Sequence, residues 1–347
     1  MWFVCRNQQN GAGKRLLLAC LLAKAHRPEV DIRKPYTEIG DPDTFSGRTY
    51  DEQVIGPFIH EHSLPCNQTT AFLTPALRNR NVILTSDLNL VGRPPQLYQT
   101  VLQLLDDVYR ERVDAELLLA AAIQCLITFR DELFQQIQSL LTQLPSPDEA
   151  LSLSAESIVI LIQNHLALPK SSRLPVLVVA AAYQAVSMQI GAVLRPLNAH
   201  NAADKQTGAL GDIELTLIAE NDVIASYEMK DKRISKIDID TALAKVMRFR
   251  NASGKNIGHY VFITTNAIDR DVADYAASLY TSTNGIEFVI LDCIGFLRHF
   301  LHLFHRFRMQ FLEAYQELLL IEPNSAVSDA MKEAFLSMRI AAEAGME

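Results

Sequence analysis

The sequence predicts an α/β (α+β) protein in which a large, mainly helical N-terminal region precedes a smaller core of strands and helices. Three observations support this class. Apolar residues recur at helical spacing through most of the first 170 residues, short segments with alternating polarity follow after residue 210, and further helical stretches separate the later segments. With 347 residues, 49% of them hydrophobic, the chain is long enough to bury two or three cores, which excludes a disordered or collagen-like protein.

The N-terminal region is predicted to be a series of helices joined by loops rich in Pro, Gly, Thr and Asn. Pro145, Ser146 and Pro147 interrupt the helical pattern near its end. We expect a soft domain boundary near residue 170, which gives a structural or DNA-binding region over 1–170, an α/β core over 171–322 and a helical tail over 323–347. The helices predicted before the boundary cover 12–26, 50–62, 75–80, 95–112, 113–144 and 155–166.

The second half begins with a buried helix and continues as a hairpin and a crossover. A polar loop, 198–210, separates that helix from the first strand. The mixture of helices and strands in this half is typical of an α/β core. The predicted strands cover 212–218, 223–230, 258–265 and 287–291, and the predicted helices cover 175–195, 238–250, 271–280 and 294–320.

Charge and cysteine usage limit the classes of partner and the compartment. The formal net charge is −8, so any contact with nucleic acid has to come from local basic patches. The five cysteines form no CxxC pair, which fits a reducing cytosol better than a disulfide framework. The sequence shows no secretion signal, and its longest apolar stretch, 174–194, is interrupted by Pro175 and two glutamines. We therefore expect a cytoplasmic protein with no membrane partner.

The two strands of the hairpin, 212–218 and 223–230, carry the residues with the clearest chemical meaning. Both strands alternate between apolar and polar residues, so each places one row of side chains on a common core. If the apolar rows share that core, the pleat brings four polar side chains to the opposite face. These are Asp212, Glu214, Glu228 and Lys230.

A group of carboxylates beside one lysine is equipped for phosphodiester hydrolysis. Neighbouring carboxylates repel each other and therefore favour a divalent cation, and oxygen ligands suit Mg²⁺. The ammonium of Lys230 can orient or help deprotonate a water on that cation, or stabilise charge that develops on a phosphate. The alternative is a solvated strand face with weak ion pairs.

Two levels of resemblance extend this interpretation. Gly211-Asp212 followed by Tyr227-Glu228-Met229-Lys230 resembles the signature of the PD-(D/E)xK nuclease superfamily, although the leading proline is absent. Three N-terminal strings resemble the SacI-type restriction endonucleases, and the likeness extends through most of the chain. The strings are DIRKPYTE over 31–38, GRTYDE over 47–52 and LPCNQTTAFLTPALR over 64–78.

The resemblance implies a prokaryotic Type II restriction endonuclease with a PD-(D/E)xK core. Such an enzyme makes Mg²⁺-dependent double-strand breaks at a short palindrome and belongs to a restriction-modification system with a separate DNA methyltransferase. Carried over to this sequence, Asp212 and Glu228 are metal ligands, with the Met229 carbonyl as a further oxygen, and Lys230 is the catalytic lysine. Glu214 either joins the metal site or lies at the edge of the cleft. The alternatives are a repair or defence nuclease that recognises DNA structure or modification, and a catalytically silent DNA-binding protein.

Two segments beside the catalytic residues are candidates for contact with double-stranded DNA. Residues 230–255 include eight basic side chains against three acidic ones, and Lys232, Arg233 and Lys236 are placed to hold phosphates; the alternative is a solubilising rim. The loop 198–210 offers groups that bond base edges, although an ordinary turn with Asx caps is an alternative. Its candidates are His200, Asn201, Lys205, Gln206 and Thr207. Further candidates in the N-terminal half are Arg33, Lys34, Arg48, Thr69, Thr70 and Arg78.

Cleavage of both strands of a palindrome predicts a symmetric homodimer, because it needs two active sites related by the two-fold axis of the DNA. The predicted helix over 294–320 carries an aromatic stripe that suits either core packing or a dimer seam. The stripe comprises Phe300, Phe304, Phe307 and Phe311.

Overall fold

The chain folds into two compact units, Met1–Gln138 and Ser139–Glu347. The computed structural model describes residues 1–145, 153–198, 209–218, 222–255 and 257–345. The division lies about thirty residues before the boundary expected near 170, because the helix over 155–166 packs with later helices of the second unit. The same helix contacts the C-terminal helix over 329–343, so the predicted tail is part of the second unit as well.

The first unit is helical, as expected, with a core built around its second helix. Its helices are α1 Trp2–Arg6, α2 Gly11–His26, α3 Gly47–Tyr50, α4 Gly56–Glu61, α5 Pro95–Tyr109 and α6 Ala115–Gln143, whose last turn belongs to the second unit. A π-helical turn, Asp51–Ile55, joins α3 to α4. The helix predicted over 75–80 is wrong: these residues form turns, and Asn79 and Asn81 adopt left-handed backbone angles that end a helix.

A buried ion pair organises the first unit. The Arg15 side chain of α2 donates to Asp51 at 2.7 Å, and both side chains are almost completely inaccessible to solvent. The other carboxylate oxygen of Asp51 accepts from the Thr70 hydroxyl at 2.6 Å and from the Ala71 amide at 2.8 Å. Because every partner is satisfied, this network fixes the loop before Ala71 against α2.

The described residues of the second unit are built around one five-stranded mixed sheet. Its strands are β1 Ala192–Leu194, β2 Ile213–Leu217, β3 Val223–Lys230, β4 His259–Thr264 and β5 Glu287–Asp292. Its helices are α7 Ala155–Leu166, α8 Leu174–Ile190, α9 Lys236–Ser253, α10 Arg270–Ser282, α11 Cys293–Leu303, α12 Arg308–Ile321 and α13 Asp329–Glu343.

Two predictions for this unit needed correction. The buried helix ends at Ile190 rather than at 195, because Gly191 adopts a left-handed φ of 66°, and the next residues form the unpredicted strand β1. The helix predicted over 294–320 is broken into α11 and α12 by a 3₁₀ turn at His305–Phe307. Phe300 and Phe311, on either side of the break, are buried in ring contact with each other, so this part of the stripe is core.

The sheet order is β1-β2-β3-β4-β5, with the first three strands antiparallel and the last three parallel. The hairpin and the crossover are therefore both present. On one face, Tyr260, Phe262 and Phe288 pack with apolar side chains of α9 and α10. On the other, Tyr227 of β3 contacts Tyr183 of α8. Polar side chains at the carboxyl end of β3 thus lie next to α9, on the face opposite α8.

Helix α8 is apolar because it is buried, as its sequence predicts. Residues 174–182 are inaccessible to solvent or nearly so. Among the residues that the structure describes, no helix combines the length and the hydropathy needed to span a bilayer. All five cysteines are free thiols.

Candidate active site

The position of Asp212 depends on a close approach of two backbones. A Cβ atom on Gly211 would lie 2.5 Å from the Tyr227 carbonyl oxygen and 2.5 Å from the Ser226 hydroxyl, so only glycine fits there. This approach carries the next residue to the edge of β3, where Oδ2 of Asp212 accepts a 2.7 Å hydrogen bond from the Met229 amide. Burial raises the pKa of Asp212, the Met229 amide opposes that rise, and the charge of Glu228 adds to it.

Glu228 and Lys230 lie on the same face of β3, as the alternation predicts. The Lys230 ammonium donates to Oε1 of Glu228 at 2.8 Å, and both side chains are largely buried. Burial lowers the pKa of Lys230, but its contact with Glu228 outweighs that effect, and the net pKa lies above the ordinary value. The structure therefore brings Asp212, Glu228 and Lys230 together, with the lysine protonated at neutral pH.

Two further residues reach Glu228 that the sequence analysis did not identify as site residues. The Tyr260 hydroxyl of β4 lies 3.2 Å from Oε2 of Glu228, and the Lys245 ammonium of α9 lies 3.7 Å from the same oxygen. In the sequence, Lys245 is one of the basic residues of 230–255, and Tyr260 is an aromatic residue of a predicted strand. Their proximity to Glu228 depends on how β4 and α9 pack, which no local pattern reveals.

Glu214 has partners of its own. One carboxylate oxygen accepts from Arg195 at 2.9 Å, and the other accepts from the Leu210 amide at 2.7 Å. A register shift between Leu215 and Thr216 interrupts the pairing of β2 with β3 just beyond it. Glu214 thus braces the segment that leads into β2.

The arrangement offers a cation two carboxylates rather than a complete protein cage. In the described parts of the chain, no group of three or more His, Cys, Asp or Glu side chains is placed to hold a metal ion. The charge of Glu228 contributes to the raised pKa of Asp212, which shows that the two carboxylates interact electrostatically. A divalent cation between them would relieve that repulsion.

The three predicted phosphate contacts lie on the surface beyond the end of β3, and each already has an acidic partner. Ion pairs join Lys232 to Asp238 at 2.8 Å, Arg233 to Asp269 at 3.3 Å and Lys236 to Asp271 at 3.2 Å. All three basic side chains are more than half exposed, so each ion pair contributes little to stability. The candidates His200, Asn201, Lys205, Gln206 and Thr207 lie outside the described residues.

Several N-terminal candidates for DNA contact have structural roles within the first unit. Arg33 donates to Asp31 and stacks on the Tyr109 ring at 3.2 Å from its centroid. Lys34 pairs with two aspartates, and Thr70 is buried against Asp51. Arg48, which pairs with Glu52, and Arg78 are exposed.

Residues 151–264 match the family model of the SacI restriction endonuclease C-terminal domain. The resemblance to the SacI-type restriction endonucleases is confirmed over these residues. The SacI-type segment runs from α7 through β4 and so contains Asp212, Glu228 and Lys230 together with Lys245 and Tyr260. A restriction endonuclease domain implies an endonuclease that binds DNA. A search of the curated proteins found no match to this chain.

Proposed function

We propose that this chain is a Type II restriction endonuclease that hydrolyses phosphodiester bonds of double-stranded DNA at a short palindromic site, with Mg²⁺ as cofactor. The observation that carries the proposal is the convergence of Asp212, Glu228 and Lys230 at one end of the hairpin, inside the segment that matches a restriction endonuclease domain. The fold that suits this function is a PD-(D/E)xK core, in which the second and third strands of the sheet carry the catalytic residues.

The donor set suits Mg²⁺. This ion is usually bound through one or two carboxylates, with waters and substrate phosphates completing its coordination. Asp212 and Glu228 supply the two carboxylates. Met229 donates its amide hydrogen to Asp212, and because the N–H and C=O groups of one strand residue point to the same side, its carbonyl oxygen also faces Asp212. Asp212, Glu228 and the Met229 carbonyl would hold the ion, which would polarise the phosphate and lower the pKa of the attacking water.

Lys230 acts as a cation in this scheme. Because its pKa lies above the ordinary value, its ammonium remains protonated and donates hydrogen bonds rather than accepting a proton. With a divalent cation bound at Glu228, the Lys230 ammonium would be free to contact a phosphate oxygen. Stabilisation of the charge that develops on the phosphate in the transition state is the contribution that such a group makes.

DNA binding would use the surface beyond β3. Lys232, Arg233 and Lys236 hold backbone phosphates in exchange for their aspartate partners, and the segment over 200–207 reads base edges. Two copies of the chain are needed to cut both strands of a palindrome, so we propose a homodimer. A separate methyltransferase protects the same site in the host, and the enzyme acts in the cytoplasm of a prokaryote.

Plasmid cleavage with and without Mg²⁺ tests the catalytic assignment. Asp212→Asn, Glu228→Gln and Lys230→Ala should each abolish cleavage while leaving the circular dichroism spectrum unchanged, because these side chains lie on a polar face and support little of the core. Binding to DNA, measured by gel shift, should survive in at least one of them. A folded Glu228→Gln protein that cuts at the wild-type rate would contradict the assignment.

The cleavage products and the molar mass test the rest of the proposal. Discrete bands from a DNA of known sequence indicate a site-specific enzyme, a smear indicates a nuclease without sequence preference, and no cleavage indicates a silent DNA-binding protein. Light scattering of the protein with its target DNA should give twice the mass of the chain. A monomer that still makes clean double-strand breaks would exclude the homodimer.

A further inference from the structure

We infer that Tyr260 is a positioning residue that fixes Glu228 and the segment before Asp212 in one geometry for the metal ion. This inference rests on the proposed function, because it assigns a role in holding the cation. It comes from a contact that joins three parts of the chain. The Tyr260 hydroxyl lies 2.9 Å from the Leu210 carbonyl oxygen and 3.2 Å from Oε2 of Glu228.

The two acceptors belong to the two segments that carry the candidate metal ligands. Leu210 precedes Asp212 by two residues, and Glu228 is the other ligand. The phenol has one hydrogen, which it shares between the Leu210 carbonyl and the Glu228 carboxylate, so it links the entry of β2 to the carboxylate on β3. Groups that hydrogen-bond to metal ligands orient them in this way, and their loss commonly weakens metal affinity by about 10- to 100-fold.

Tyr260 is rigid enough for this role. Its side chain is buried, and its ring packs against Phe262 and Phe288 at centroid distances of 5.3 and 5.6 Å. The ring thus cannot follow a carboxylate that moves. Tyr260 is the second residue of β4, and this strand is hydrogen-bonded to strands on both sides, which holds the backbone of Tyr260 in place.

The chemistry of the contact separates Tyr260 from the two lysines that also reach Glu228. An ammonium and a metal cation compete for the charge of one carboxylate, so the contacts from Lys230 and Lys245 weaken when a cation arrives. The neutral hydroxyl of Tyr260, whose one hydrogen is shared with the Leu210 carbonyl, contacts the carboxylate without competing for its charge. Of these three contacts, the one from Tyr260 is therefore compatible with a bound cation.

The test compares Tyr260→Phe with a matched variant on the other face of the sheet. Tyr227→Phe also removes one hydroxyl from a buried tyrosine, but that hydroxyl contacts Tyr183 on the α8 side, away from Glu228. Affinity for Mn²⁺ alone, measured by calorimetry without DNA, is the first readout. The second is the Mg²⁺ concentration that gives half-maximal cleavage.

We expect Tyr260→Phe to weaken Mn²⁺ affinity about tenfold and to raise the half-maximal Mg²⁺ concentration by a similar factor. The maximal rate at saturating Mg²⁺ should return close to that of the wild type, and gel shifts without metal should not change. Tyr227→Phe should leave both metal readouts within about twofold of the wild type. Unchanged Mn²⁺ affinity in Tyr260→Phe, or an equal loss in Tyr227→Phe, would overturn the inference.

The same experiment separates this inference from the proposed function. If the wild type cuts no DNA in Mg²⁺ but still binds Mn²⁺, and this binding is lost in Asp212→Asn and weakened in Tyr260→Phe, the nuclease proposal fails and the positioning role stands. If the wild type cuts DNA and Tyr260→Phe has the wild-type metal affinity, only the positioning role fails.

Discussion

Replacement of Gly211 by alanine tests whether the approach of two backbones sets the geometry of the site. The new Cβ would lie 2.5 Å from the Tyr227 carbonyl oxygen, whereas real Cβ atoms essentially never come closer than 3.0 Å to another heavy atom. The strand entry must therefore move by at least about 0.5 Å, and backbone atoms rather than a flexible side chain have to yield. Asp212 is the next residue, so its carboxylate moves with the backbone.

The expected effect on catalysis is larger than the effect on stability. A displacement of about 1 Å at a catalytic group can cost about 100-fold in rate, so we expect Gly211→Ala to lower kcat/KM by about 10- to 100-fold. Overpacking of this kind costs about 1–3 kcal/mol of folding free energy, which leaves the protein folded. Cleavage under single-turnover conditions, gel shift without metal and thermal melting measure the three quantities.

Gly258→Ala provides the matched control. Gly258 precedes β4 in the same sheet, and its added Cβ would meet only the Ile224 carbonyl oxygen at an ordinary 3.5 Å. This variant should retain wild-type cleavage and a wild-type melting temperature. If Gly211→Ala behaves like Gly258→Ala, the close approach does not determine the position of Asp212, and the assignment of that residue has to be revised.

Three further predictions concern the basic surface, the buried ion pair and pH. Lys236→Ala should weaken binding to all DNA sequences alike and reduce the magnitude of the slope of log K against log salt by about 0.9, whereas Lys255→Ala, just beyond the other end of α9, should not. A change in the site that is cut would refute the phosphate role. Asp51→Ala should destabilise the first unit by about 3–5 kcal/mol in urea unfolding, because it leaves the buried guanidinium of Arg15 without its carboxylate partner. Glu52→Ala, which removes an exposed ion pair, is the control and should change stability by less than about 1 kcal/mol. Burial lowers the pKa of His165 from 6.5 to about 4, so the unfolded chain takes up a proton before the folded protein does as pH falls. The free energy of unfolding should therefore drop by about 2 kcal/mol between pH 7 and pH 5. A His165→Gln variant with the same drop would show that His165 is not its cause.

Local periodicity was sufficient to predict the hairpin that carries the candidate catalytic residues. Alternation with a period of two over 212–217 and 223–230 reflects the pleat of each strand, and a shared core requires that the polar rows face the same way. This is why Glu228 and Lys230 could be placed together from the sequence and were found in contact. The helix over 155–166 was predicted to the residue, since a serine cap and an apolar stripe are likewise local signals.

The partners of these residues depended on tertiary structure. Tyr260 and Lys245 lie 32 and 17 residues beyond Glu228, and they reach it because the crossover helix α9 packs on the sheet and sets the parallel register of β4. Strand β1 has only three residues, too few to show alternation, and it forms because β2 supplies its hydrogen bonds. The sequence by itself determined which residues have the chemistry and which face of the hairpin holds them, because short-range geometry dictates both. Packing between distant segments decided which neighbours hold these side chains in position, because contacts between residues far apart in the chain produce no periodic pattern in the sequence.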